Sequence, residues 1–195
     1  MKKNCFGLQE SLEWCEGTPE PAGIRRTAFY VSMADCVMHP KIPVDENHRP
    51  TSSTLEGKFE LAEGKTFKRI DFLPDKSQFQ SDPQGDYPNQ TQLDKLTLLH
   101  PGVGPEATNA CVYINNTRCI FLFQDMKGRW RMVGNPDFPS KNTVAQDLGQ
   151  GVTGSTSTTI AVEASNLVAA PFYNGPIPTE DGIINLEDDE LEDGN

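Results

Sequence analysis

Apolar and polar positions alternate along much of this chain at the spacing of a β-strand. The clearest stretch is Cys119–Gly134, CIFLFQDMKGRWRMVG, in which two apolar arms flank a polar turn. Side chains of a strand alternate between its faces, so Cys119, Phe121 and Phe123 share one side and Ile120 and Leu122 the other. Both sides are apolar, which predicts a strand covered on both faces, with a helix over one of them. In the return arm Trp130 and Met132 alternate with Arg129 and Arg131, so that arm should have a wet face.

The same reading extends to the rest of the chain. GIRRTAFYVS (Gly23–Ser32) reads as a strand through Phe29, Tyr30 and Val31. LEGKFELAEGKTFKRIDFLP predicts a hairpin, with Leu55, Phe59 and Leu61 on one arm, Phe67, Ile70 and Phe72 on the other, and AEGK between them. Leu93, Leu96 and Leu98 mark a further strand, Thr158–Ala164 another, and LVAAPFYNGPIP adds a short apolar segment. Two polar, proline-containing stretches, Asp35–Ser53 and Asp75–Gln90, read as long loops.

In GPEATNACVYINN, Ala107, Ala110, Cys111 and Ile114 fall at helical spacing and form one apolar face. Pro105 and Glu106 suit the first turn of that helix, and Asn115–Asn116 its end. The sum is a mainly β protein of about eight strands: an antiparallel β-sandwich or barrel with one short flanking α-helix and long loops. Residues 1–23 form a polar N-terminal arm carrying Phe6, Leu8, Leu12 and Trp14, residues 24–177 the β-rich domain, and residues 178–195 an acidic, disordered tail.

Composition narrows the class. Hydrophobic residues make up 36%, and 16 glycines with 15 prolines favour a loop-rich β protein over a helical bundle. The net charge is −11, but the last 18 residues hold eight acids and no base, which leaves 20 acidic against 17 basic residues elsewhere. Acidity is thus a property of the tail, and the chain lacks the basic footprint that tight nucleic-acid binding requires. No apolar run approaches the roughly 20 residues that span a membrane. MKKNCFGLQESLEWC has no apolar core of a secretory signal, so synthesis in the cytoplasm is expected.

Chemical motifs are scarce. The cysteines (Cys5, Cys15, Cys36, Cys111, Cys119) are odd in number and unevenly spaced, which suggests neither a disulfide framework nor a zinc site. His39 and His100 each precede proline, and His48 lies in a polar loop. GQGVTGST (Gly149–Thr156) has the glycine spacing of a phosphate-binding loop but lacks its lysine, and KNTVAQD before it is too polar for the strand such a loop follows, so it reads as a turn entering a Thr-rich strand. Asp82 and Asp86 are ordinary loop acids, and Asn89 and Asn115 match the glycosylation pattern by coincidence. No catalytic, cofactor-binding or metal-binding residue is nominated, and the expectation is a non-enzymatic protein without a cofactor.

Five segments carry a family resemblance. GIRRTAFYVS, FLPDKSQFQSDPQGDYPN, LLHPGVGPEATNA, CIFLFQDMKGRWRMVGNPDF and TTIAVEASNLVAAPFYNG occur in that order between Gly23 and Gly175. Together they resemble phage and prophage structural proteins of the tail-tube kind. The resemblance implies a β-sandwich or barrel flanked by a helix, assembling with copies of itself into stacked rings and meeting other phage tail proteins. Such a protein would be made in the bacterial cytoplasm and end in the virion. Paired strands would line the channel, long loops would clasp neighbours, and no catalytic residues come with the family. The alternatives are a monomeric β-sandwich module binding carbohydrate or protein, or another phage head or tail accessory protein.

Overall fold

The computed structural model of the protein describes residues 8–185. Its strands are β1 (Ile24–Ser32), β2 (Cys36–Met38), β3 (Glu60–Leu61), β4 (Lys68–Asp71), β5 (Gln78–Gln84) and β6 (Thr91–Pro101). After the helix α1 (Pro105–Asn116) come β7 (Cys119–Asp125), β8 (Trp130–Val133), β9 (Lys141–Asp147) and β10 (Ser157–Asn166). The chain closes with β11 (Phe172–Tyr173), β12 (Ile177–Thr179) and β13 (Gly182–Ile184). Two antiparallel sheets hold nine of these strands, in the orders β11-β8-β7-β1-β4 and β5-β6-β10-β9. The protein is mainly β, a sandwich with one α-helix among the described residues.

β7 lies at the centre of the five-stranded sheet, paired with β1 (Tyr30↔Phe121) and with β8 (Leu122↔Met132). Cys119–Phe123 are all buried, as the two-sided pattern requires. Cys119, Phe121 and Phe123 face the four-stranded sheet and meet Leu96, Leu98, Ile160 and Val162. Ile120 and Leu122 face the other way, into a second apolar layer with Phe29, Trp130 and Met132. That layer is covered by Leu55, Phe59 and Phe67 from the 36–67 segment and by Tyr173 and Ile177. Phe59 sits edge-on to both Phe67 and Tyr173, each at 5.0 Å. The cover of this face is therefore irregular chain, whereas a helix was expected over one side.

The helix has a different place. Pro105 opens it after Gly104, and Asn116 ends it. Ile114 is buried among the inter-sheet residues, and Ala110 and Cys111 pack beside it. Asn115 spends its amide on the edge strand β9: its Nδ2 donates to the Val144 carbonyl at 3.0 Å, and its Oδ1 accepts from the Val144 N–H at 2.6 Å. Asn142 of β9 returns the contact by donating to the Thr117 carbonyl just past the helix, at 2.8 Å. A helix thus closes an edge that would otherwise be free to pair with another strand.

The β7–β8 turn follows from its residues. Gly128 N–H bonds the Asp125 carbonyl at 2.9 Å, and Gly128 has φ 89°, a left-handed conformation that glycine adopts without strain. The wet face expected of β8 is narrow. Arg131 is half-covered at the mouth of the inter-sheet layer, and Val133 beyond it on the same face is buried.

Four expectations are corrected. The chain does turn at Ala62–Lys65, but the flanking arms do not pair: β3 joins β2 and β4 joins β1. Their apolar side chains serve different layers, Phe59 and Phe67 the outer one, Ile70 and Phe72 the inter-sheet one. The Asp75–Gln90 loop contains β5, an edge strand from which Phe79 alone reaches the core, against Phe123 at 5.0 Å. KNTVAQD, too polar to read as a strand, forms β9, where only Val144 is buried. Finally, residues 178–185 do not belong to a detached tail. They sit in the β12–β13 hairpin, Thr179 bridging to Phe67 and Lys68 paired with Glu180. The rest of the proposed tail, and Cys5 and Phe6 of the arm, lie outside the described residues; residues 8–23 hold no strand or helix.

Three variants test this architecture by urea denaturation. Phe121→Ala should cost roughly 3–5 kcal/mol, the range for emptying an aromatic core site. Asn115→Ala, which strips the Val144 N–H of its partner and leaves the Val144 carbonyl only the Cys111 thiol, should cost about 1–3 kcal/mol. Lys127→Ala, on the exposed turn and paired only with Glu20, should stay within about 0.5 kcal/mol of wild type. An unchanged midpoint for Phe121→Ala would show that β7 is not the core strand.

Candidate functional site

The chemistry-bearing residues are dispersed. His39 pairs with Asp137 at 3.3 Å, His48 has φ 59° in a turn, and His100 lies on β6 against the Asp71 carbonyl. Cys119 is buried, and burial pushes its thiol up to about 12, so it is a packing residue and not a nucleophile. Burial also raises Cys36, while Cys15 is exposed. Among the described residues no three His, Cys, Asp or Glu side chains gather as a metal-ligand set. The Gly149–Thr156 segment connects β9 to β10 and enters a strand, not a helix, so no helix N-terminus stands behind its glycines. A side chain at Gly154 would meet the Gln150 backbone at 2.5 Å, which explains that glycine by loop packing. Asp82 is taken up by Lys95 at 2.9 Å and by Gln80, and Asp86 caps a turn through its carbonyl.

The strongest electrostatic feature joins the two sheets where β10 passes to β11. Asp94 on β6 is wholly buried and accepts from Ser81 Oγ at 2.7 Å and from the Ala170 N–H at 3.0 Å. Arg131 Nη1 donates to the Ala170 carbonyl at 3.2 Å. Ala170, itself buried with φ 22°, therefore has both backbone groups held by ionisable side chains. Burial pushes the Asp94 carboxyl above the usual range, against the pull of its two donors and of Arg131. Burial pulls Asp125 the same way, but the Arg129 N–H and guanidinium, with Arg131 beyond, outweigh it and hold Asp125 below that range. The guanidinium carbons of Arg129 and Arg131 lie 4.9 and 4.0 Å from the Phe172 ring centroid, fastening β11 to the sheet. This cationic cluster is structural, and the polar alternation of β8 was its only trace in the sequence.

Outside the core, exposed apolar side chains include those of the arm, β2 and the β9–β10 connection, beside others such as Tyr87, Val112 and Ile183. On the arm Leu12 is 98% and Trp14 69% exposed, and in the β9–β10 connection Leu148 is 74% exposed. Val152 in that connection and Val37 and Met38 of β2 are exposed as well. The outer face of the four-stranded sheet is mostly polar by contrast, with Leu93 and Leu99 set among Lys95 and Thr97 on β6. Along β10 Ile160, Val162 and Ala164 point inward, while Thr159, Ala161, Glu163 and Ser165 alternate with them on the outside. Lys95 and Asp82 pair across that face. None of the described helices is long and apolar enough to cross a membrane.

Comparison with known proteins found no matching family model, no matching curated protein and no matching solved structure.

The buried carboxylate gives a pH test. Because the folded state holds the Asp94 proton more tightly than the unfolded chain does, Asp94 contributes a loss of stability as pH rises from the ordinary carboxylate range through its raised value. Asp94→Asn keeps an acceptor for Ala170 and a donor for Ser81 but removes the charge. The stability of Asp94→Asn relative to wild type should therefore grow as pH is raised through that window. Parallel stability profiles for the two proteins would show that Asp94 carries no such penalty.

Proposed function

We propose that the chain is a self-associating structural subunit, a tail-tube-like component that builds rings or a tube with copies of itself and meets other phage tail proteins. The observation that carries this reading is the exposure of Leu12, Trp14, Val37, Met38, Leu148 and Val152 on segments that project from a sandwich whose core is already complete. Apolar side chains on projecting segments gain by burial against a neighbour, as clasping arms and loops do. The resemblance of the Gly23–Gly175 segments to phage structural proteins supports the same reading. So does the mostly polar outer face of the four-stranded sheet, which suits a surface turned to water.

The test uses the intact chain. Sedimentation velocity over a wide concentration range should show species larger than the monomer, and negative-stain microscopy should show rings or tubes. Trp130 is buried and Trp14 exposed, so the emission of the two indoles separates the states. On association the wild-type emission should move to shorter wavelength, while Trp14→Phe, which retains only Trp130, should show little change. A monomer at every concentration, with constant emission, would overturn the proposal.

A further inference from the structure

A cavity of about 380 Å³ opens where β5 of one sheet faces the β7–β8 hairpin of the other, beside the base of the N-terminal arm. Its floor is apolar. Ile24 and Phe123 there are buried, and the half-buried ring of Phe79 lies 5.0 Å from that of Phe123. Its rim is charged and carries Lys127, Arg129 and Arg131 together with Glu20 and Asp125.

Both acids of the rim are already paired. Glu20 Oε2 lies 2.6 Å from Lys127 Nζ. Asp125 accepts the Arg129 N–H on Oδ1 at 3.0 Å and the Arg129 Nε–H on Oδ2 at 2.8 Å. Arg131 is the cation left over. One of its guanidinium N–H groups donates to the Ala170 carbonyl, while its Nε is 3.9 Å from Asp125 Oδ2, beyond hydrogen-bonding distance. Asp94 behind it is held by Ser81 and the Ala170 N–H and does not line the cavity. Arg25 adds a further positive charge at the turn, where its guanidinium lies against Gly128. The neutral groups do not reverse this balance. The Ser77 hydroxyl is engaged by the Leu73 carbonyl and the Leu99 N–H, and the exposed Gln78 amide offers donor and acceptor alike. The rim therefore sets three cations against two paired acids.

We propose that this cavity binds a small aromatic carboxylate. The ring of the ligand lies on Phe79, Phe123 and Ile24, and aromatic rings pack well against one another. Its carboxylate accepts from Arg131, whose planar fork of donors matches the two oxygens, with Lys127 beside it. The cavity falls at the small end of the roughly 300–1,000 Å³ of ligand pockets, so the ligand has one ring and a short acid chain. The inference stands apart from self-association, since none of the exposed apolar residues invoked there lines the cavity.

The test titrates the full chain with sodium 3-phenylpropanoate, and in parallel with 3-phenylpropan-1-ol, 3-phenylpropylammonium chloride and sodium acetate, following the melting temperature and the arginine Nε–H signals by NMR. Phenylpropanoate should raise the melting temperature saturably and shift the Arg131 signal, whereas the alcohol, the ammonium and acetate should do neither at the same concentration. Arg131→Lys, which keeps the charge but loses the fork, should weaken phenylpropanoate binding about tenfold. Two substitutions of exposed rim residues serve if that variant fails to fold. Lys127→Ala should weaken binding about two- to fivefold, and Glu20→Gln, which releases Lys127, should strengthen it by a similar factor. No saturable shift, equal binding of the alcohol, the ammonium or acetate, or an unchanged affinity in these variants would each overturn the proposal.

Discussion

The structure depends on a constraint set by β7. A strand presents alternate side chains to opposite faces, and Ile120–Phe123 are apolar on both, so the sheet that contains them needs two covers. The four-stranded sheet covers Phe121 and Phe123, but a sandwich leaves the other face of each sheet to water. Ile120 and Leu122 are sealed instead by Leu55, Phe59, Phe67, Tyr173 and Ile177, residues drawn from two distant parts of the chain. The long segment between β2 and β4 is therefore a third layer of the fold, held there by the need to bury β7. Two-sided apolarity also means that β7 cannot set its own register, because a slip by one residue would exchange one buried set for another. Register comes from β8. A slip there would drive Arg131 into the layer of Trp130 and Met132, where neither Asp125 nor the Ala170 carbonyl could meet it.

Edges are the second requirement of a two-sheet protein, and each is met by a different device. β9 is closed by the amide of Asn115, which mimics a strand partner at Val144. β11 is held by cations stacked on Phe172, and the residue preceding β4, Phe67, is bridged by Thr179 of β12. β5 keeps Pro83 and a run of polar side chains, which discourage pairing with a further strand. The bridge between Thr179 and Phe67 explains why residues 178–185 are part of the fold although they begin the acidic end of the sequence: Ile177 and Thr179 are buried.

What could be read from the sequence was whatever announces itself locally. β7, its turn and β1 carry dense apolar alternation, and α1 carries a helical apolar face with proline at its start; all were found with boundaries close to those observed. β5 and β9 were missed because edge strands bury one face only in part, here Phe79 and Val144, and their remaining polar residues look like loop. The supposed hairpin around Ala62–Lys65 failed for a different reason. Its apolar residues are real core residues, and the odd spacing of Phe67 and Ile70 even places them on opposite faces, but nothing local says that β3 pairs with β2 and β4 with β1. The Asp94–Ala170–Arg131 arrangement and the cavity between β5 and the β7–β8 hairpin were beyond reach altogether, because each joins residues from strands distant in sequence. Arg131 shows locally in the polar alternation of β8 and Asp94 as an acid between Leu93 and Leu96, but nothing local joins the two.

The proposed assembly draws its energy from what the fold leaves over. In a chain with only 36% hydrophobic residues, most large apolar side chains are used in the two buried layers. Those outside include Leu12 and Trp14 on the arm, Val37 and Met38 of β2 and Leu148 and Val152 of the β9–β10 connection, beside others such as Tyr87, Val112 and Ile183 elsewhere on the surface. Burying one such side chain contributes about 1.5–3 kcal/mol. Association costs an estimated 4–15 kcal/mol before ordering of the interface is counted. A single segment with two such residues supplies about 3–6 kcal/mol, below most of that range, so stable association is favoured where the segments engage together. They come from different parts of the chain, so an arm of one subunit set against the loops of another can be made reciprocally in a two-fold dimer or repeated head-to-tail. Head-to-tail contacts repeat, closing into a ring when the rotation allows and running on as a filament when it does not. In the proposed ring or tube the arm of each subunit would engage the loops of the next, so that every subunit both gives and receives the contact.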